Sequence, residues 1–110
     1  MVVGAAVVEL RIRGAHSLKQ KRGVVRQVVQ RVRNRFNLSV AEVGGQDTWQ
    51  LAILGFSAAG VDADPVRRVL RQAIDFVEAT HLAELRDSDI EIITLPLSER
   101  EGFPSWDLQE

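Results

Sequence analysis

Apolar and polar residues alternate from Val2 to Arg13, with Val8, Leu10 and Ile12 on one side and Glu9, Arg11 and Arg13 on the other. That is the period of a strand with one covered face. Its first half, through Val3, Ala5 and Val7, is apolar on both sides. After Gly14-Ala15-His16 comes Ser17-Leu18-Lys19-Gln20, which predicts a helix start. The Ser17 hydroxyl is placed to accept from the amide three residues on, while Gln20 reaches back to the Ser17 amide. Valines at 24, 25, 28, 29 and 32, then Phe36, recur at spacings of three and four and form one helical stripe. Leu38 to Val43 reads as a second strand, Gly44-Gly45-Gln46-Asp47 as a turn, and Thr48 to Ser57 as a third strand, joined closely enough for an antiparallel hairpin. Asp62-Ala63-Asp64-Pro65 opens a second helix, whose stripe of Val66, Val69, Leu70, Ala73, Ile74 and Val77 runs to about Thr80. A polar stretch from His81 to Ser88 then leads into a fourth strand, Ile90 to Leu95, stopped by Pro96.

The order βαββαβ predicts an α+β, ferredoxin-like sandwich: a four-stranded antiparallel sheet with both helices on one face. A single domain is expected over residues 1–97, and the aperiodic segment 98–110 is expected to be a loosely ordered tail. One sheet face stays uncovered. With Val8, Leu10 and Ile12 toward the helices, Val3, Ala5 and Val7 face away, and an exposed apolar face of this kind usually marks an interaction surface. The expectation is a homodimer through the open sheet face or an edge strand.

Composition limits the chemistry. The 110 residues are 45% hydrophobic and contain no cysteine, which excludes disulfides, thiolate catalysis and cysteine-ligated metals and fits a cytoplasmic location. The apolar opening Met1 to Val8 lacks a basic flank and is too short to span a bilayer, so neither export nor membrane association is expected.

Charge changes the picture more. Fourteen basic residues against fifteen acidic give a net −1, but the totals conceal a division. The first 41 residues hold nine basic residues and only Glu9 as an acid, a sum of +8; residues 42–110 hold five basic and fourteen acidic, a sum of −9. Lys19, Arg26 and Arg33 recur every seven residues along the first helix, with Arg22 one turn before Arg26. The resulting positive field suits phosphates, with Lys as point charge and Arg as forked donor. The turn and helix start, with His16, Ser17, Lys19, Lys21 and Arg22, add free amides and a helix dipole that also favour an anion. Arg11, Arg13, His16, Ser17, Lys19, Lys21, Arg22, Arg26 and Arg33 are therefore the candidate anion- or nucleic-acid-binding residues. Two plainer explanations compete: charge pairing with Asp62, Asp75 or Glu78 of the second helix or with another subunit, and a simply solvated helix face.

No catalytic constellation emerges. His81 fits a cation at the C-terminus of the second helix, and Asp47 fits a turn-organising side chain beside Glu42. Neither a P-loop nor a Gly-x-Gly-x-x-Gly is present, and no clustered His/carboxylate pattern suggests a metal; no cofactor is expected. An acylphosphatase-like reading fails on the third strand, which offers Gln50 but no Asn. Base stacking of the RNA-recognition-motif kind finds no aromatic on the first strand, while Trp49 and Phe56 on the third are an odd number of positions apart. Any RNA would be held through its phosphates.

The run His16-Ser17-Leu18-Lys19-Gln20-Lys21-Arg22, then Asn34 to Val43, then Gln46-Asp47-x-Trp49, resembles the YlxP-like family of small bacterial proteins, over about residues 3 to 97. The resemblance implies a ferredoxin-like fold. It also implies a gene neighbourhood between translation initiation factor two and ribosome-binding factor A, and hence a role near ribosome assembly or translation, with ribosomal or precursor RNA as partner. It supplies no catalytic residues. Within the motifs, Ser17 is expected to cap, Phe36 to seal the helix end against the sheet, and Glu42 to answer His16 or a nearby Arg across the sheet.

Overall fold

A computed structural model of the chain describes residues 1–97; the tail expected over 98–110 lies outside the described residues. The elements are β1 (Val2–Arg11), α1 (Leu18–Arg35), β2 (Ser39–Gly44), β3 (Leu51–Gly60), α2 (Ala63–Thr80) and β4 (Glu84–Thr94). They form one antiparallel sheet in the order β2-β3-β1-β4, and this is the ferredoxin-like arrangement. Helix α1 packs on β2, whereas α2 covers β1, β3 and β4.

The alternation of β1 sets the two layers. Val2, Ala6, Val8 and Leu10 are buried beneath the helices, and Ile12 continues their phase just past the strand. They meet Leu54 and Phe56 of β3, Val25, Val28 and Val32 of α1, and Leu70, Ile74 and Val77 of α2 in one core. Gly4 lies in this layer because α2 crosses directly above it: a Cβ there would stand 2.6 Å from both Val66 and Leu70. The helix ends meet through Phe36 and Phe76, whose rings stack edge to face at 5.6 Å, with Arg35 over Phe76. Phe36 thus closes the end of α1 with its ring on the other helix, where the sheet was expected.

All four strands differ from the sequence expectation, β2 only by lying one residue later at each end. β1 ends at Arg11, and Ile12 and Arg13 lie beyond it, although the Ile12 amide still donates to the Gln50 carbonyl. β3 starts at Leu51, not Thr48, and continues to Gly60. Gly45 takes φ +75° and its carbonyl accepts from the Thr48 amide, so the hairpin connection is longer and Trp49 falls in it. The added end, Ala58 to Gly60, has little strand propensity of its own and is held by pairing with Val2 to Gly4. β4 begins at Glu84, within the expected polar stretch. It is an edge strand with one covered face, and a bulge opposite Glu9/Leu10 breaks its alternation, so Leu85 and Ile90 share a face despite their odd spacing.

Candidate nucleic-acid interface

The β1–α1 connection turns at Gly14, with φ +78°, and buries Ala15. Ser17 is the N-cap of α1, and its hydroxyl accepts from the Gln20 amide at 3.1 Å. Gln20 answers one residue earlier than the sequence suggests, its Oε1 accepting from the His16 amide at 2.7 Å. Ser17 and the His16 backbone are therefore engaged in building the helix start, while the His16 side chain stays exposed.

Lys21 requires the main correction. Expected at the phosphate-binding surface, it is completely buried: its Nζ donates to Glu42 Oε2 at 2.6 Å and to the Gly45 carbonyl at 2.7 Å, and lies 3.5 Å from the Gln46 carbonyl. The cause is helical phase. Lys21, Val25, Val28 and Val32 form one stripe on the core side of α1. Glu42, two residues along β2 from the buried Val40, points into the same layer and pairs with Lys21, where His16 or an Arg was expected. The pair fastens α1 to the β2–β3 connection. This signal was present in the sequence, in the spacing of Lys21 from the valines and in the even phase of Glu42.

The other cations divide by what they touch. Arg33 donates to the Val40 carbonyl at 3.0 Å, tying the last turn of α1 to the edge strand. Arg13 forms an exposed ion pair with Glu84, Nε to Oε2 2.6 Å. The hydrogen bond from Arg13 is the main reason that the Glu84 carboxyl lies below its usual range, with the charges of Arg13, Arg11 and Arg86 adding to it. Arg11 ends β1 on the open side of the sheet, away from the α1 stripe. Lys19, Arg22 and Arg26 stand exposed on one flank of the core stripe and make no ion pair among the described residues. They span about 10 Å of helix axis at 1.5 Å per residue. Among the described residues no ion pair links α1 to Asp62, Asp75 or Glu78, so the intramolecular explanation for this flank is not realised.

The open sheet face is unsuited to base stacking. Phe56 is buried toward the helices and Trp49 lies in the connection, so β1 and β3 present only Val3, Ala5, Val7, Glu9 and Arg11, with Leu51, Ile53, Gly55, Ser57 and Ala59. His81 serves the backbone, adopting the left-handed conformation (φ 55°) that ends α2. Among the described residues no cluster of three or more His, Cys, Asp or Glu could hold a metal ion, and no helix is long and apolar enough to cross a membrane.

Residues 3–90 match the model of a family described as a protein of unknown function, DUF503. The chain belongs to this family. Among the proteins it resembles is the uncharacterized protein YlxP of Bacillus subtilis (strain 168), 36% identical over 78 residues, which are 71% of this chain and 85% of that one. SnoaB, a cofactor-independent oxygenase from Streptomyces nogalater, superposes with a TM-score of 0.51 at 18% identity over 87% of this chain and 95% of its own. The de novo designed protein Foldit4 also reaches 0.51, at 9% identity, over 87% of this chain and all of its own. Those two likenesses are of fold alone. The DUF503 match takes in β1, α1 and the hairpin, so the Lys21–Glu42 fastening and the cationic flank both lie within the family region.

Proposed function

We propose that this DUF503 protein is a non-catalytic, cytoplasmic RNA- or ribosome-associated binding protein that holds phosphates with the solvent flank of α1. The observation that carries the reading is the set of three exposed cations, Lys19, Arg22 and Arg26, on a helix whose first turn contains no acid. Lys19, in the first turn, opposes the helix dipole unless an anion is nearby, and no carboxylate of the described residues forms an ion pair with Lys19, Arg22 or Arg26. Arg33 borders the same flank and His16 lies at its lower end, whereas Arg13 is held by Glu84 and Arg11 lies on the open side of the sheet. Recognition through phosphates follows from an open sheet face without aromatic residues. The gene neighbourhood implied by the family resemblance points the same way.

Cosedimentation with ribosomal particles, with and without ribonuclease, tests this. The expected result is association that ribonuclease abolishes, that Lys19→Glu/Arg22→Glu/Arg26→Glu removes, and that Lys21→Met retains at temperatures where the variant is folded. Unchanged association of the triple variant refutes the reading. A second reading, a homo-oligomeric interaction module whose basic half meets an acidic surface, is supported by the exposed Val7, Val43 and Ile93. Ribonuclease-resistant association would favour it.

A further inference from the structure

We propose that the open face of the sheet is a second docking surface, which takes an amphipathic basic helix of a partner protein and works independently of the α1 cations. Val7, Val43 and Ile93 are 46%, 55% and 50% exposed on this face. Between Val7 and Val43 the floor is made of small residues, Ala5, Ala41 and Gly55, leaving an apolar groove of about 370 Å³ across β1, β3 and β2. Val43 leans over Gly55, its Cγ1 3.0 Å from where a Cβ there would stand, so the open floor is about one interstrand spacing wide and takes a row of side chains from a helix resting on Val7 and Val43. A helix seated there would add the layer that a two-layer sandwich lacks.

Charge identifies the occupant. The pairing of β1 with β4 sets Glu9 opposite Asp87, Val7 opposite Asp89 and Ala5 opposite Glu91, so four carboxylates lie beside the groove, beyond Val7 on its β4 side. None makes an ion pair among the described residues, and Glu9 and Asp87 are like charges placed directly opposite, an arrangement that destabilises a sheet by itself. Asp87, Asp89 and Glu91 repeat about every 6.6 Å along β4, and cations at i, i+4 and i+8 of a helix repeat about every 6 Å. An apolar stripe flanked by Lys or Arg at that spacing satisfies both halves of the face. Arg11, at the far end of β1, marks where the acidic row stops.

Other occupants satisfy only part of it. The segment 98–110 carries Glu99, Glu101, Asp107 and Glu110 against Arg100 and so has the same sign as the row. A second copy stacked face to face brings the same carboxylates. Its α1 has already buried its own apolar stripe of Val25, Val28 and Val32, and so offers cations without a hydrophobic face.

The test uses a labelled 18-residue helical peptide with a Leu stripe flanked by Lys at i, i+4 and i+8, and a control with Lys replaced by Glu. The expected results are saturable binding with amide shifts at Val7, Val43, Gly55 and Asp89, at least a tenfold loss of affinity for Asp87→Asn/Asp89→Asn/Glu91→Gln, and no loss for Lys19→Gln/Arg22→Gln/Arg26→Gln. Equal binding of the Glu control, shifts confined to α1, or an affinity unchanged by neutralising the row overturns the proposal. So does a homodimer by light scattering that buries Val7 and Val43 and persists in the presence of peptide. Because the α1 variant is a separate arm, failure here leaves the phosphate-binding reading to its own test.

Discussion

Removing Glu42 should destabilise the domain far more than removing Lys21, although the two form one ion pair. The Lys21 side chain is wholly buried, while that of Glu42 keeps 21% exposure. Glu42→Ala strands an ammonium group in the core with only the Gly45 and Gln46 carbonyls as acceptors. Losing one partner of a buried pair in this way costs about 3–5 kcal/mol. In a domain of roughly a hundred residues that corresponds to a fall of about 14–24 °C in Tm. Lys21→Met fills similar volume without charge, and the carboxylate left behind reaches water. Its cost is the loss of the Lys21 bond to the Gly45 carbonyl, which keeps the Thr48 amide, and a displaced acid, about 1–2 kcal/mol. Lys21→Met/Glu42→Leu should then be no worse than Lys21→Met, because apolar replacement of a whole buried pair is often neutral. Urea unfolding followed by far-ultraviolet circular dichroism at neutral pH measures all three. If Glu42→Ala costs less than Lys21→Met, or both cost under about 1 kcal/mol, the pair does not fasten α1 to the hairpin as its geometry indicates.

Gly4→Val should destabilise by about 1–3 kcal/mol through overpacking, because even a Cβ would lie 2.6 Å from Val66 and Leu70; an unchanged urea midpoint would show that α2 can lift at no cost. The Glu84 carboxyl titrates below its usual range, so its contribution is present above the unfolded-state value and is lost as pH falls through the folded-state value. Arg13→Gln should move that titration upward in a carbon-detected NMR experiment, and no movement would show that the hydrogen bond is not its main cause.

The fold was legible because the periods were clean. The β1 alternation and the α2 stripe name the buried residues directly, and the capping pattern at Ser17 locates the start of α1. Strand ends were legible only where local propensity and tertiary pairing agreed. Ala58 to Gly60 is extended because Val2 to Gly4 pairs with it, a cause that lies far away in sequence. β4 was obscured by its edge position and bulge, which allow Asp87, Asp89 and Glu91 in a strand. At the candidate site, counting charges placed Lys21 with its basic neighbours. Helical phase, which governs charged as well as apolar residues, puts Lys21 with the valines.

That correction sets a quantitative limit on phosphate binding. Of the five cations on the Lys19–Arg33 flank and its approach, Lys21 is buried and Arg33 is tied to Val40, which leaves Lys19, Arg22 and Arg26 unengaged. If each neutralises one phosphate, the slope of log affinity against log salt should be about −2.1 to −2.7, an affinity loss of about 20- to 40-fold between 50 and 200 mM salt. A slope near −5 would require the Arg13–Glu84 pair to open and Arg11, Arg13 and Arg33 to join the contact. Fluorescence anisotropy on a labelled RNA across that salt range separates the two cases. Repeating it with Arg13→Gln assigns any excess: a steep slope that falls by about one identifies Arg13 as a recruited contact, and a shallow slope that does not move confines the interface to one helix.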